Sequence, residues 1–427
     1  MSMDARKIQE MKREGFKTRY FFMVALFYVF QGFYQSSLSV YEAHMLNEVF
    51  MLDVAKIALV NFIVILPNYL KMFTGLLSDR VPIGKYRRIP YIVIGTIIYI
   101  PFFIILANLL HYNVLWVITM MALSWGWALV DGTLDALTID VTPDSKLGMM
   151  NGASWAARSV GSVGATLVIA AIAAAMGWQL ALYLIGAVAV LQGISALTIK
   201  EPKFSGQDEK RSWARDKEAL VKFFSVKQTW LTILFVLLFN AGPGIYAFMY
   251  TLFIQVGGYT AAEISVLSAI AFVTMIVGVM LFGRISDKIG AKKIVLPSLI
   301  LFWVSIATFF LVKPGMSTGL VLALLALFGF AMGAVMVPGG RLSMEIADPE
   351  ISGFVYSGLA SVSNLAQAGV AGLLIGLVSR IPGAVLPIPF LALLPCSIAA
   401  IFISRKLDWW EPGEDNDAQT DETQVES

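Results

Sequence analysis

Charge is what this chain has least of. Only 14% of its 427 residues are charged, against roughly 25% in an ordinary soluble domain. A chain this long with so little polar surface cannot stay dispersed in water. That excludes a soluble enzyme, a disordered protein and a nucleic-acid-binding protein. Cysteine is nearly missing: Cys396 stands alone in an apolar run. No disulfide framework and no cysteine-based metal site can be built from it. The two histidines, His44 and His111, fall between apolar runs, so histidine chemistry deep in a membrane is excluded as well. No N-x-Ser/Thr acceptor occurs. No constellation points to an enzyme, a metal or a cofactor.

Apolar residues make up 58% of the sequence, and mean hydropathy is +0.76. A spanning helix needs ~20 apolar residues, so the length accommodates about twelve spans. Runs of that kind lie near 20–41, 54–78, 90–110, 114–141, 149–175, 178–198, 229–255, 262–283, 294–313, 318–346, 352–379 and 383–404. They are continuous rather than alternating and too long for barrel strands, which makes them helices. The expected fold is therefore an all-α membrane protein with twelve transmembrane helices.

Lys and Arg placement sets the orientation. Twenty-five of the 31 basic residues fall on the side that carries both termini, and only Lys56, Lys313 and Arg380 fall on the other. Both termini are expected in the cytoplasm. The chain then divides into an N-terminal tail (1–19), a six-helix bundle (20–198), a central loop (199–228), a second bundle (229–404) and an acidic tail (405–427). Lys71, Arg158 and Arg341 remain inside apolar runs.

The halves repeat. Gly75…Ser78-Asp79-Arg80 follows the second run, and Gly283…Ser286-Asp287-Lys288 follows the eighth, the two aspartates 208 residues apart. Asp140…Gly148…Gly164 matches Glu345…Gly353…Gly369 at an offset of 205. Two six-helix repeats around a midplane site are a transporter architecture. The G-x-x-x-D-[RK] pattern with glycine and paired basic residues resembles the signature loop of the major facilitator superfamily. In its first copy the basic pair is Arg87-Arg88, after a longer stretch. Leu66-Pro67…Lys71…Asp79…Arg87-Arg88 with Asp131…Asp135 is similar to the folate–biopterin transporter family, and also to the pigment-assembly branch of the same superfamily.

That resemblance implies a gate at the cytoplasmic mouth. Asp79 and Asp287 would accept bonds from the N-termini of spans 11 and 5. Arg80, Arg87, Arg88 and Lys288 would meet Asp140 and Glu345. In the midplane the residues themselves speak. Asp131 and Asp135 are four apart, on one helix face. Asp131 and Arg158 lie ten residues before and after the hairpin joining runs 4 and 5, about 15 Å deep, and are expected to pair. Lys71 matches the depth of Asp135. Arg341 has no neutralising partner at its depth unless Glu345 serves. With Arg341 the buried cations exceed the acids by one, which would suit an anion. Asp131 or Asp135 could carry a coupling proton. Gln31, Tyr34 and Gln35, Asn240, Tyr246 and Tyr250, and Asn364 and Gln367 complete the candidate site. Tyr246 and Tyr250 flank the broken stretch Gly242-Pro243-Gly244.

The expected function is a secondary active transporter for a small, anionic organic solute, a proton-coupled symporter. It would work as a monomer in the plasma membrane, with the bilayer, the solute and protons or another coupling ion as partners. The competing reading is a non-transporting assembly factor or sensor on the same fold, which a cavity stripped of charge would favour.

Overall fold

The computed structural model describes residues 18–109, 111–141, 147–199, 201, 213–345 and 352–409. Its helices are α1 (Thr18–His44), α2 (Val54–Val64), α3 (Leu66–Tyr69), α4 (Lys71–Arg80), α5 (Ile89–Leu106), α6 (Val114–Val141), α7 (Leu147–Met176) and α8 (Trp178–Ala196). Then follow α9 (Trp213–Ser225), α10 (Lys227–Ala241), α11 (Met249–Gln255), α12 (Ala261–Ile289), α13 (Ala291–Thr308), α14 (Thr318–Glu345), α15 (Ser352–Asn364), α16 (Ala371–Val378) and α17 (Leu394–Ser404). No strand occurs among the described residues.

Nine helices among the described residues are long and apolar enough to cross a membrane. Two of the nine run through irregular turns: Lys227–Gln255 through the 3₁₀ stretch Gly242–Phe248, and Phe354–Val378 through the π-turn Leu365–Val370. The other expected runs are helical too. The first is the 27-residue α1, the second is broken into α2, α3 and α4, and the last is the shorter Ile388–Ser404. The second run breaks where Pro67 removes a backbone donor, and its chain bends again at Leu70. That bend leaves Lys71 as the first residue of α4.

Neighbour relations in the first half recur in the second. Helix α1 packs along α7 and α8, as α10 packs along α15 and α17. The segment α2–α4 lies on α6 as α12 lies on α14, and α5 meets α6 and α8 as α13 meets α14 and α17. The halves touch along α7–α12, α4–α15 and α2–α16. Apolar side chains such as Ile97, Ile104, Val277 and Ile300 stay more than half exposed on helix flanks, where lipid would cover them.

Small residues set the closest approaches. A Cβ on Gly32 would sit 1.9 Å from the Arg158 carbonyl oxygen, and one on Gly161 would sit 1.9 Å from that of Val29. The two glycines let α1 and α7 touch backbone to backbone. Gln31 is thereby brought beside Arg158.

Candidate functional site

Four charges from three helices meet between α1, α4, α6 and α7. Lys71 Nζ donates to Asp131 Oδ2 at 2.5 Å and to Asp135 Oδ2 at 3.0 Å. Arg158 Nη2 donates to Asp131 Oδ1 at 2.8 Å, and Asp135 Oδ1 lies 3.4 Å away. The pairing expected across the hairpin is present, and Lys71 reaches both acids rather than one. Each carboxylate therefore sits between two cations. The Lys71 side chain is 2% exposed, and those of Asp131 and Asp135 are 10% and 13% exposed. Charges at this depth need such pairing, because taking them out of water unpaired costs several kcal/mol each.

Helix α1 reads the network. Gln31, fully buried, donates from Nε2 to Asp131 at 2.7 Å and accepts from Arg158 Nε at 2.9 Å. Tyr28 donates its hydroxyl to Asp135 at 3.0 Å, and the Arg158 guanidinium lies 4.7 Å from its ring centroid. Trp155 offers a second ring to Arg158 at 4.9 Å. Tyr28 and Trp155 were not among the expected residues. Tyr28 stands one turn before Gln31 as Tyr34 stands one turn after it, so position alone singles out neither.

Arg341 is a correction. It does not join the midplane site. Its Nη1 donates to Asp287 at 2.7 Å and to Ser286 at 3.1 Å, at the basic mouth of the second half. Arg341 stands only four residues before the end of α14, about 6 Å, and its long side chain runs outward to a carboxylate 76% exposed. Without it, the midplane charges balance at two and two. The cation surplus behind the anion expectation is gone. Among the described residues, the partner of Asp287 is Arg341 of α14, in its own half.

Tyr34 is a second correction. Its ring stacks on Trp127 at 5.4 Å and packs against Tyr99 and Phe103, inside the first half. Gln35 is exposed in mid-helix.

The second half contributes no charge to the network among the described residues. Tyr246 stacks parallel to Phe328, and Tyr250 shares a hydrogen bond with Ser268. Asn240 bonds the backbone of Val236, and Gln367 bonds Ser363. Asn364 is half-buried, with no side-chain hydrogen bond among the described residues. A Cβ on Gly244 would meet the Gln367 carbonyl at 2.3 Å, so the broken stretch before α11 touches the π-turn of Leu365–Val370. Two contacts bring this half to the charges: the Met72 N–H donates to Ser361 at 3.0 Å, and Tyr356 lies within electrostatic range of Asp135, Lys71 and Arg158.

At the basic mouth the side chains of Asp79, Arg80, Asp140 and Glu345 lie outside the described residues. Lys288 is exposed. Arg88 is buried and donates to Ser78 at 2.5 Å. The Glu201 carboxylate accepts from the backbone N–H groups of Arg87, Arg88 and Ile89 at 2.6, 2.8 and 3.0 Å. It caps α5, whose first N–H groups have no partner within the helix.

At the opposite mouth the halves are tied. Glu48 is bonded by His44 and accepts from the Ala261 N–H at the start of α12 at 2.5 Å. Gln255 donates to Asn47 at 3.0 Å and to the Leu52 carbonyl at 3.1 Å. Burial pushes the Glu48 carboxyl up, but the bonds from His44 and Ala261 outweigh it and hold Glu48 below the usual range.

This arrangement has relatives. The family model for the major facilitator superfamily matches residues 20–371 and again 244–418. The chain belongs to the major facilitator superfamily. An Arabidopsis thaliana protein described as "Probable folate-biopterin transporter 4" is 26% identical over 162 residues, which take in 36% of this chain and 33% of that protein. Among solved structures, the nucleoside transporter NupG matches with a TM-score of 0.65 at 14% identity, covering 91% of this chain and 98% of that one. A bacterial homolog of the human lysosomal transporter Spinster, in an inward-facing and unoccupied conformation, gives 0.65 at 16% identity, over 93% and 99%. These likenesses show a transporter fold in a membrane protein.

Proposed function

We propose that this superfamily member is a secondary active transporter, with twelve spans in two six-helix halves and both termini in the cytoplasm of a cell whose plasma membrane it crosses. It moves a small polar organic solute by alternating access and draws on a proton gradient. The observation that carries this reading is the balanced network of Lys71, Asp131, Asp135 and Arg158, buried where the halves meet. A packing device would not need four charges in a place where each is so costly. The network is neutral, so it does not demand a charged solute. On this reading Tyr246, Asn364 and Gln367 of the second half would supply the solute with uncharged aromatic and amide partners.

The names of the relatives set a panel: folic acid, biopterin and nucleosides, each added to purified protein in a thermal-shift assay. A ligand at about 100 times its Kd stabilises the folded state by ~2.7 kcal/mol. The solute that shifts melting should accumulate in proteoliposomes under an inwardly directed proton gradient, and Arg158→Gln should abolish both effects. A melting shift that survives Arg158→Gln and Asp131→Asn would place the site elsewhere. Equal accumulation with and without the gradient would refute proton coupling.

A further inference from the structure

Asp131 and Asp135 are each already engaged by two cations. Burial disfavours the charged form of an acid, but an adjacent cation favours it. Each of these acids has two adjacent cations, within 3.4 Å. A proton arriving there would have to displace Lys71 or Arg158.

Glu42 is differently placed. It follows Gln31 by eleven residues, three helical turns, so it lies on the same face of α1 about 16 Å further along. Gln35, on that face between them, is exposed. The other faces of α1 are occupied. Gly32 and Val29 press on α7, and Tyr34 and Tyr41 pack into the first half. Glu42 is half-buried. It sits one to two turns inside the seal formed by Asn47 and Glu48 with Gln255 and Ala261.

No hydrogen bond or ion pair reaches its carboxylate among the described residues. Most titratable groups on the elements around it have other partners, and Tyr41 alone is within its electrostatic range among the described residues. On α1 itself, Tyr41 is bonded by Trp116, and His44 pairs with Glu48. On α12, Glu263 closes the capping box of Thr260. Tyr250 of α11 bonds Ser268. At the start of α2, Lys56 pairs with Asp53. Helix α7 presents Arg158, already in the midplane network, and α8 presents Tyr183, exposed on its flank. None of the basic residues on that side, Lys56, Lys313 or Arg380, bonds Glu42.

We infer that Glu42 is the proton-binding carboxylate of the transport cycle, and that the Asp131–Arg158 network is not. The inference rests on the proton-coupled reading above and gives it a site. Protonation needs no ion pair to break, because none is made among the described residues. Loading from the side of the seal and release toward the opposite mouth would require only that the halves rock past Glu42.

The test uses the proton alone as ligand. Purified protein is taken from about pH 8 to about pH 5.5 on an infrared cell, where exposed carboxylates, with reference values near 4, stay ionised. Wild type should gain a carboxylic-acid carbonyl band and take up one proton per chain more than Glu42→Gln. The band should vanish in Glu42→Gln, move in frequency in Glu42→Asp, and persist in Asp131→Asn and Asp135→Asn. A band that stays in Glu42→Gln, that disappears in Asp131→Asn or Asp135→Asn, or that is missing from wild type overturns the assignment. Should Glu42→Gln fail to fold, as judged by size exclusion, an unshifted band in Glu42→Asp overturns it equally. The two readings fail separately. Solute accumulation indifferent to a pH gradient would refute coupling and leave the band, whereas a band belonging to Asp131 would refute Glu42 and leave coupling intact.

Discussion

Removing Arg158 is the sharpest perturbation the network allows. Arg158→Gln deletes the bond to Asp131 at 2.8 Å, the contact with Asp135 at 3.4 Å and the bond from Nε to Gln31 at 2.9 Å. Two carboxylates are left to share Lys71, and a neutral cluster becomes negative by one. Breaking a buried pair from one side costs ~3–5 kcal/mol. Asp131→Asn should cost a similar amount by the opposite route, leaving two cations on Asp135 alone. Combining Asp131→Asn with Arg158→Gln restores neutrality, with Lys71 and Asp135 still 3.0 Å apart. The double variant should therefore recover ~2–3 kcal/mol relative to the sum of the single losses, within the range found for coupled neighbours. Unfolding in mixed detergent micelles measures all four corners of the cycle. Additivity within ~0.5 kcal/mol would mean the two side chains do not interact, and the geometry would be wrong. Uptake read on the same four proteins separates roles. If Arg158 also holds solute, the double variant stays inactive although its stability returns.

Four further outcomes are expected. Gly32→Ala should lower the melting temperature and the yield of folded protein, since its Cβ meets a carbonyl oxygen at 1.9 Å and overpacking costs ~1–3 kcal/mol, whereas Gly340→Ala, with open space around it, should not. Asp287→Asn should change stability by less than ~1 kcal/mol, because that carboxylate is 76% exposed, yet slow transport to the same degree as Arg341→Gln, singly and together, as a stopped-flow uptake assay would show. Tyr28→Phe should leave folding intact and reduce transport, by removing the hydroxyl on Asp135 while keeping the ring under Arg158. Glu48→Gln should loosen the seal near neutral pH. The folded-state value of Glu48 lies below its unfolded value of ~4.3, so its contribution is full above that value and disappears only as pH falls through the lower one. Labelling of Gln35→Cys, in a Cys396→Ser background, by an impermeant maleimide should thus be faster in Glu48→Gln than in the parent at pH 7.

What could be read from the sequence followed from helical geometry. Asp131 and Asp135 had to share a face because they are four apart, and Arg158 had to match their depth because a short hairpin joins its helix to theirs. The repeat in the signature loops foreshadowed the recurrence of neighbour relations. The misreadings have physical causes as well. Tyr28 and Tyr34 stand three residues on either side of Gln31, so each lies about 60° from it, in opposite directions. Without knowing which way α1 turns, nothing in the sequence tells the tyrosine on Asp135 from the one buried on Trp127. Arg341 was misplaced because depth was counted along the backbone, and an arginine side chain can carry its charge outward by more than a helical turn. Glu201 was hidden because a carboxylate capping a helix from a distant segment leaves no local pattern.

The distribution of charge bears on how such a molecule could move. Every ion pair of the midplane network is internal to the first half, through α4, α6 and α7, with α1 added by Tyr28 and Gln31. The network therefore stiffens one half and does not lock the two together. Among the described residues, what crosses between halves there is lighter: a backbone bond from Met72 to Ser361, and the electrostatic reach of Tyr356. At the mouth beyond Glu42, by contrast, several bonds join the halves, through Glu48, Asn47 and Gln255. Rocking that opens this mouth must break those bonds while leaving all the midplane pairs intact. Replacing Gln255 by alanine should then shift the balance of open and sealed forms, seen as faster labelling at Gln35→Cys, with no change in the stability of the Asp131–Arg158 pair measured by the same double-mutant cycle. A coupling between the two would show that the network spans the halves after all, and the first half could not move as one body.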